Sequence, residues 1–78
     1  ADIAASTGDI DRAARLREEA LALEPYDEYR YVTLACLLLD NGRRSAAAGV
    51  ARRAERAMDE LGVPVSGALA DVVERLRR

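Results

Sequence analysis

The sequence predicts an all-α fold of antiparallel helical hairpins, with about four to five helices, and three observations lead to this prediction. Apolar residues recur at spacings of three and four along most of the chain, which is the pattern of amphipathic helices. Ala and Leu dominate the composition, and five Gly and two Pro are too few for the frequent turns of a β-sandwich or barrel. The predicted connections are about two to five residues long, which places neighbouring helices side by side in opposite directions.

Turn-forming residues separate the four segments that carry the helical pattern. Pro25 disfavours helix at the residue before it and ends the first segment. Gly42 follows an Asp-Asn pair and is typical of a glycine just beyond a helix C-terminus. Ser66 is a suitable N-cap for the last segment. The predicted helices cover residues 9–24, 27–40, 45–61 and 66–77, and residues 2–6 are compatible with helix but too short to stand alone.

The first and last helices carry apolar faces at the two ends of the chain. In the first helix, the face of Ile10, Ala14 and Leu21 is expected to stay exposed unless a preceding helix covers it. The stripe predicted for the last helix consists of Leu69, Ala70, Val73 and Leu76. The groove face of the second helix, with Val32, Cys36 and Leu39, is expected to add to the exposed apolar surface of the first. Because contiguous exposed apolar surface usually marks an interface, the sequence predicts that the chain self-associates, with a two-fold homodimer as the first expectation, or is markedly unstable without its missing neighbours.

An internal repeat relates the two halves of the chain. Gly8 and Gly42 are 34 residues apart, and the same offset relates Ala13 to Ala47. This is the period of the tetratricopeptide repeat, in which two helices form one hairpin. The packing residues expected in the first helix of such a hairpin are Tyr31, Leu34, Ala35 and Leu38. The alternative is an ordinary closed bundle of Ala/Leu helices in which the glycine spacing is a coincidence.

The repeat also predicts the domain organisation. Residues 1–24 are interpreted as the end of a preceding repeat, residues 26–61 as one full helical hairpin, and residues 66–77 as a closing helix. Together, residues 1–78 form a single helical-repeat module. Because such arrays need about three repeats to bury a continuous core, we expect this module to be a fragment of a larger protein.

The residue inventory argues against catalysis. The chain has no His, which removes the commonest general base and the imidazole metal ligand. Its single Cys forms neither an internal disulfide nor a Cys-rich zinc site, and there is no Gly-rich phosphate loop. We therefore predict that the protein is not an enzyme and has no catalytic residues, no cofactor and no metal.

Charge and hydropathy argue against nucleic acid and membrane partners. The 12 basic residues are outnumbered by 14 acidic ones, whereas DNA-reading domains usually carry an excess of positive charge. Arg56 lies four residues before Glu60, a spacing that predicts an ion pair on a solvated helix face. No apolar run approaches the roughly 20 residues that a membrane span needs. These observations predict no direct nucleic acid binding, no membrane contact and a cytoplasmic location. Neighbouring acids are expected to pair with the arginine cluster, which consists of Arg43, Arg44, Arg52, Arg53 and Arg56.

In a tetratricopeptide array, the first helix of each hairpin also lines an inner groove. By register, the protein-binding groove predicted here consists of Tyr29, Val32, Cys36, Leu39 and Asp40. This face is unusually apolar, so it either receives a segment of a partner protein or packs against another part of the parent protein. Tyr31 takes the packing position, which leaves Tyr29 and Tyr26 for contacts. A lone Cys in an apolar helix is usually packed rather than reactive.

Short motifs follow one another from the first turn to the last helix. They are Leu-Glu-Pro-Tyr-Asp-Glu at 23–28, the Leu-rich helix 34–39, Gly-Arg-Arg at 42–44, three alanines at 46–48, Leu-Gly-Val at 61–63 and the cap Ser66. In order and spacing they resemble the bacterial transcriptional activator domain, the tetratricopeptide-like module of the antibiotic regulatory protein family of transcription activators. This resemblance implies a regulatory module that acts through helix-hairpin protein contacts or self-association. The alternative is a generic tetratricopeptide adaptor that binds a peptide or partner protein, and the sequence upstream of Ala1 would separate the two.

Overall fold

The computed structural model describes residues 7–78, which form four α-helices joined by short turns. The helices are α1 (Thr7–Leu23), α2 (Glu28–Asp40), α3 (Arg44–Leu61) and α4 (Gly67–Arg77). This part of the chain contains no strand. The predicted all-α hairpin fold is thus confirmed, and every helix boundary lies within two residues of its predicted position. The helix-compatible stretch 2–6 lies outside the described residues.

Side-chain caps explain where α2 and α4 begin. The carboxylate of Asp27 accepts a hydrogen bond from the backbone N–H of Tyr29 at 3.1 Å. The hydroxyl of Ser66 accepts one from the backbone N–H of Leu69 at 3.3 Å, as the sequence predicts. Each cap satisfies an amide that has no partner within its own helix.

Glycines in the left-handed conformation close α2 and α3. Gly42 has a φ of +76° and Gly62 a φ of +72°, values that glycine adopts without the steric cost other residues incur. After Gly62, the N–H of Val63 reaches back to the carbonyl of Met58 at 3.1 Å. Gly8, which the 34-residue offset relates to Gly42, lies instead inside the first turn of α1.

Contacts at the helix ends show how α4 is oriented. The Arg44 guanidinium, at the start of α3, donates to the carbonyl of Leu76 near the end of α4 at 2.6 Å, so α3 and α4 are antiparallel. Arg75, also near the end of α4, pairs with Asp40 at the end of α2 at 2.9 Å, so α2 and α4 run in the same direction.

Two ion pairs orient α1 in the same way. Arg43 pairs with Asp11 near the starts of α3 and α1, and Arg53 pairs with Glu18 at 2.8 Å further along both helices. Therefore α1 and α3 form one layer of parallel helices, and α2 and α4 form the other. Within residues 7–78, no Cα atom of α1 lies within 8 Å of α4. Within the described residues, α1 contacts α2 and not α4, so α1 and α4 lie at opposite ends of a two-layer array.

The core lies between the layers and is built mainly by α2 and α3. As predicted, α2 contributes a buried aromatic and three smaller residues: Tyr31, Leu34, Ala35 and Leu38. The facing side of α3 is rich in alanine, which lets the two helices approach closely: Ala47, Val50, Ala51, Ala54, Ala57 and Met58.

The apolar stripe of α4 differs from the predicted one by one residue. Ala70 is exposed, whereas Val72, which the prediction left out, is 2% exposed. Leu69 is also buried, and Val73 and Leu76 pack against the core with part of their surface open. The buried face therefore follows spacings of three, one and three, the same pattern as the buried residues of α2.

The prediction for the apolar face of α1 is wrong. Ile10 and Leu21, expected to be exposed, are 8% and 2% exposed, and Ala14 packs against the core. This face belongs to the side of α1 that meets α2, so the chain itself covers it. The exposed apolar side chains of α1 are instead Leu16, at 59%, and Leu23, at 81%.

Candidate protein-binding surface

The five predicted groove residues lie in two different surroundings. Tyr29, at the start of α2, is 73% exposed and is the open member of the set. Asp40 is exposed but held in its ion pair with Arg75. The other three are half-buried and pack against the core: Val32, Cys36 and Leu39.

The position of α4 explains this division. At the start of the helix, the backbone N–H of Ser66 donates to Glu28 Oε2 at 2.8 Å. At its end, Arg75 bonds Asp40 and also approaches Cys36 Sγ at 4.0 Å. The hydrogen bond to Asp40 raises the pKa of Arg75 above its usual value. This side of α2 therefore carries the contacts to α4.

A recess of about 410 Å³ opens on the other side of α2, against α1. On the α1 side, the recess is lined by Arg17 and Ala20. On the α2 side, the lining begins at Asp27, the residue that caps this helix. The remaining lining side chains are Tyr29, Arg30 and Thr33. The exposed phenol of Tyr29 thus stands at the rim of a preformed cavity that lies between two helices.

Two hydrogen bonds hold the side chain of Asp27 in place on one side of the recess. One carboxylate oxygen caps α2 through the N–H of Tyr29, and the other accepts a hydrogen bond from Arg30 Nε at 3.1 Å. Across the recess, Arg17 makes no ion pair or hydrogen bond within the part of the chain that the structure describes. A partner with an acidic group would therefore find the guanidinium of Arg17 free and that of Arg30 already paired with Asp27.

An apolar stripe on α1 runs beside the recess. We call this surface the α1 stripe, and it consists of Ala13, Leu16, Ala20 and Leu23. By the same 34-residue offset, these four residues are equivalent to four core residues of α3 that are each 5% exposed or less: Ala47, Val50, Ala54 and Ala57. On α1 the two leucines are exposed and the two alanines half-buried. The face that is buried in the core on α3 is therefore left uncovered on α1 by residues 7–78.

Most of the arginine cluster makes contacts inside the chain. Arg53 forms two hydrogen bonds to the carboxylate of Glu18, at 2.8 and 2.9 Å, and this bonding raises the pKa of Arg53. Its guanidinium also lies over the Tyr31 ring, 5.8 Å from the centroid. The predicted ion pair between Arg56 and Glu60 is wrong. Glu60 instead accepts a hydrogen bond from the Tyr26 hydroxyl at 3.3 Å, and among the described residues no ion pair joins it to Arg56.

Sequence reasoning missed the recess and the α1 stripe, although one signal for them was present. By the 34-residue offset, Arg17 corresponds to Ala51, which is 3% exposed in the core of α3, and a charged arginine does not fill such an apolar contact. The exposed leucines on the same helix repeat the spacing of the buried residues of α3. Comparison of equivalent positions, rather than periodicity within one helix, reveals the surface.

The described residues hold no group of three or more His, Cys, Asp or Glu side chains arranged to bind a metal ion. Among those same residues, every helix falls short of the length and apolar character that crossing a membrane requires.

Comparisons with protein-family models, with curated proteins and with solved structures found no match for this chain.

Proposed function

We propose that this chain is a protein-interaction module of a bacterial transcription activator, and that it acts by contact between helices rather than by catalysis. The observation that carries the proposal is the uncovered α1 stripe beside a preformed recess. Leu16 and Leu23 lie two helical turns apart on one face, at 59% and 81% exposure. Contiguous apolar surface of this kind is characteristic of sites that bind other proteins.

The two-layer arrangement supports a helical-repeat module of the tetratricopeptide type. In such arrays each hairpin contacts only its neighbours, so the ends stay open and present surfaces that a further helix can cover. Here α1 and α4 are at opposite ends, and α2 contacts α1, α3 and α4. The absence of His from the sequence is a further argument for binding rather than chemistry.

The transcriptional role rests on the resemblance to the bacterial transcriptional activator domain. The motifs that carry it lie mainly at the helix junctions: the Pro25 turn between α1 and α2, the Gly42 turn before α3, the Gly62 turn after it, and the Ser66 cap of α4. A role in a bacterial activator would place the protein in the cytoplasm.

A generic tetratricopeptide adaptor is the second candidate, and the recess is the observation that favours it. Tyr29 at its rim and Arg17 on its wall offer one aromatic and one charged group to an extended peptide. An adaptor of this kind would bind its partner without any effect on transcription.

A reporter experiment separates these two functions. The chain is fused to a monomeric DNA-binding domain, and transcription from the matching operator is measured in bacteria. Activation is expected with the wild-type chain and with the control Ala22→Glu, which adds the same charge at an exposed position on another face of α1. Leu23→Glu should reduce the signal to that of the DNA-binding domain alone.

The adaptor function predicts a different result. In that case the fusion leaves transcription unchanged for all three chains. In a pull-down, Tyr29→Ala should then lose the partner peptide, whereas Leu23→Glu should still bind it. Equal transcription from the wild-type chain and the unfused DNA-binding domain contradicts the activator proposal.

A further inference from the structure

We propose that the α1 stripe is the docking site for α4 of a second copy of this chain, so that copies associate head to tail. This inference rests on the proposed function of a protein-interaction module and names its partner. Two surfaces at opposite ends of the array, the α1 stripe and one face of α4, are at least partly exposed. The α2–α3 hairpin shows how equivalent surfaces pack together.

The α1 stripe is the receiving surface. In α3, the equivalent residues belong to the core, where Val50 is 4% and Ala57 is 5% exposed, and α2 packs along α3. Their counterparts, Leu16 and Leu23, are exposed because no helix among residues 7–78 occupies that side of α1. A helix that runs antiparallel to α1 and carries the packing pattern of α2 would reproduce the contact.

The α4 helix carries that pattern. Leu69, Val72, Val73 and Leu76 have the same spacing as Tyr31, Leu34, Ala35 and Leu38 of α2. The burial of these α4 residues differs from that of the equivalent α2 residues at two positions only. Ala35 is 0% and Leu38 is 5% exposed, because α2 is covered by helices on both sides, whereas Val73 and Leu76 are half-buried.

The surroundings of α4 enlarge this free surface. Three apolar residues at the end of α3 and in the α3–α4 connection are exposed: Leu61, Val63 and Val65. Among residues 7–78, α4 is thus a partly covered donor helix and α1 an uncovered acceptor helix. Because α1 and α4 do not approach each other within residues 7–78, a second copy provides the match.

The symmetry of this contact differs from that of the two-fold homodimer expected from the sequence. A contact between α4 of one copy and α1 of the next is heterologous, since each copy uses two different surfaces. Every pair then retains one free α1 and one free α4. Association therefore continues beyond two chains, unless the rotation between copies closes a ring.

The experiment is sedimentation of the purified chain and of variants blocked at one end. For the wild-type chain, we expect the average mass to exceed that of two chains and to grow with concentration. Leu23→Glu blocks the receiving surface and should weaken association by roughly tenfold or more, because a carboxylate would be buried without a partner. Ala22→Glu should associate as the wild type does. Val73→Glu blocks the donor surface. Ala70→Glu adds the same charge one helical turn away from Val73, at a position that is already exposed. It therefore serves as the donor-blocked chain if Val73→Glu unfolds.

Mixing the two kinds of blocked variant gives the decisive result. The Leu23→Glu chain retains a free α4, and the donor-blocked chain retains a free α1, so each alone should be monomeric while their mixture forms a 1:1 complex that grows no further. A donor-blocked chain that dimerises by itself would show a two-fold α1–α1 contact and overturn the proposal. So would a wild-type chain that stays monomeric at every concentration. Neither result bears on transcription, so the reporter experiment can fail or succeed independently.

Discussion

The hydroxyl of Tyr31 donates a hydrogen bond of 2.7 Å to the carbonyl of Pro25, six residues earlier. This contact ties the first turn of α2 to the turn that follows α1. Tyr31 is 6% exposed, and a phenol buried to that extent usually finds a partner for its hydroxyl. Arg53 covers the ring from the side of α3 and also binds Glu18 of α1. One aromatic residue thus connects three of the four helices.

Removal of this hydroxyl should destabilise the fold measurably. We expect Tyr31→Phe to lower the free energy of unfolding by about 1 kcal/mol, because the hydrogen bond is lost while the ring still fills its site. The control Tyr29→Phe alters an exposed phenol and should change stability by less than about 0.5 kcal/mol. Urea denaturation followed by circular dichroism measures both. Equal stability of the two variants would show that the bond to Pro25 contributes nothing.

Two glycines, one inside α3 and one just after its end, should change the stability in opposite directions when replaced by alanine. Gly62 ends the helix with a φ of +72°, so Gly62→Ala is expected to destabilise the protein by roughly 1 kcal/mol. Gly49 lies in the interior of α3 with open space around the position of an added Cβ. Gly49→Ala should therefore stabilise the protein by roughly 0.5–1 kcal/mol. Thermal melts of both variants test this, and a loss of stability for Gly49→Ala would contradict the open space around the position of its added Cβ.

The Tyr26–Glu60 contact predicts a pH dependence. The negative charge of Glu60 and its hydrogen bond with the phenol raise the pKa of Tyr26 above the usual 10.0. The contribution of this contact to stability is therefore fully present below pH 10.0 and is lost as the pH rises through the pKa of the folded protein.

The Tyr26 pKa can be measured from the pH titration of its ring carbon resonances by NMR. Glu60→Gln removes the charge and should bring the pKa back toward 10.0. Glu55→Gln, a matched change at an exposed position on the same helix, should leave the pKa of Tyr26 where it is. Titration of Tyr26 at the same pH in the wild type and in Glu60→Gln would exclude the coupling.

Features of the fold that depend on local chemistry were predictable from the sequence. Pro25 ends a helix because of its own ring, Gly42 adopts a left-handed turn because it lacks Cβ, and Ser66 caps a helix with its own hydroxyl. The burial of Tyr31 follows from its place in a regular stripe of apolar residues. None of these properties requires knowledge of the neighbouring helix.

Features that depend on the arrangement of helices were not predictable in this way. Val32, Cys36 and Leu39 belong to the α4 side of α2 because α4 returns parallel to α2, which no pattern within α2 records. The exposed face of α1 was assigned wrongly for a related reason. Leucines lie on more than one side of α1, so its periodicity does not indicate which side meets α2.

Two leucines of α1 that are close in sequence should respond very differently to the same substitution. Leu21 is 2% exposed in the core, and Leu23 is 81% exposed on the α1 stripe. Leu21→Glu places an unpaired carboxylate in an apolar site, a cost of several kcal/mol that is comparable with the whole stability of a small domain. Leu23→Glu places the same group in water and should alter the stability of the monomer by less than about 0.5 kcal/mol.

The exposed face expected from the sequence would make Leu21→Glu a test of association, but Leu21 lies in the core, so this substitution reports on folding instead. Cooperative thermal unfolding, recorded by circular dichroism at a low chain concentration where association is minimal, distinguishes the two. We expect a sharp transition for Leu23→Glu and a lost or strongly shifted one for Leu21→Glu. A Leu21→Glu chain that melts like the wild type would mean that Leu21 is open to solvent. The face of α1 that meets α2 would then be the one that carries Leu23.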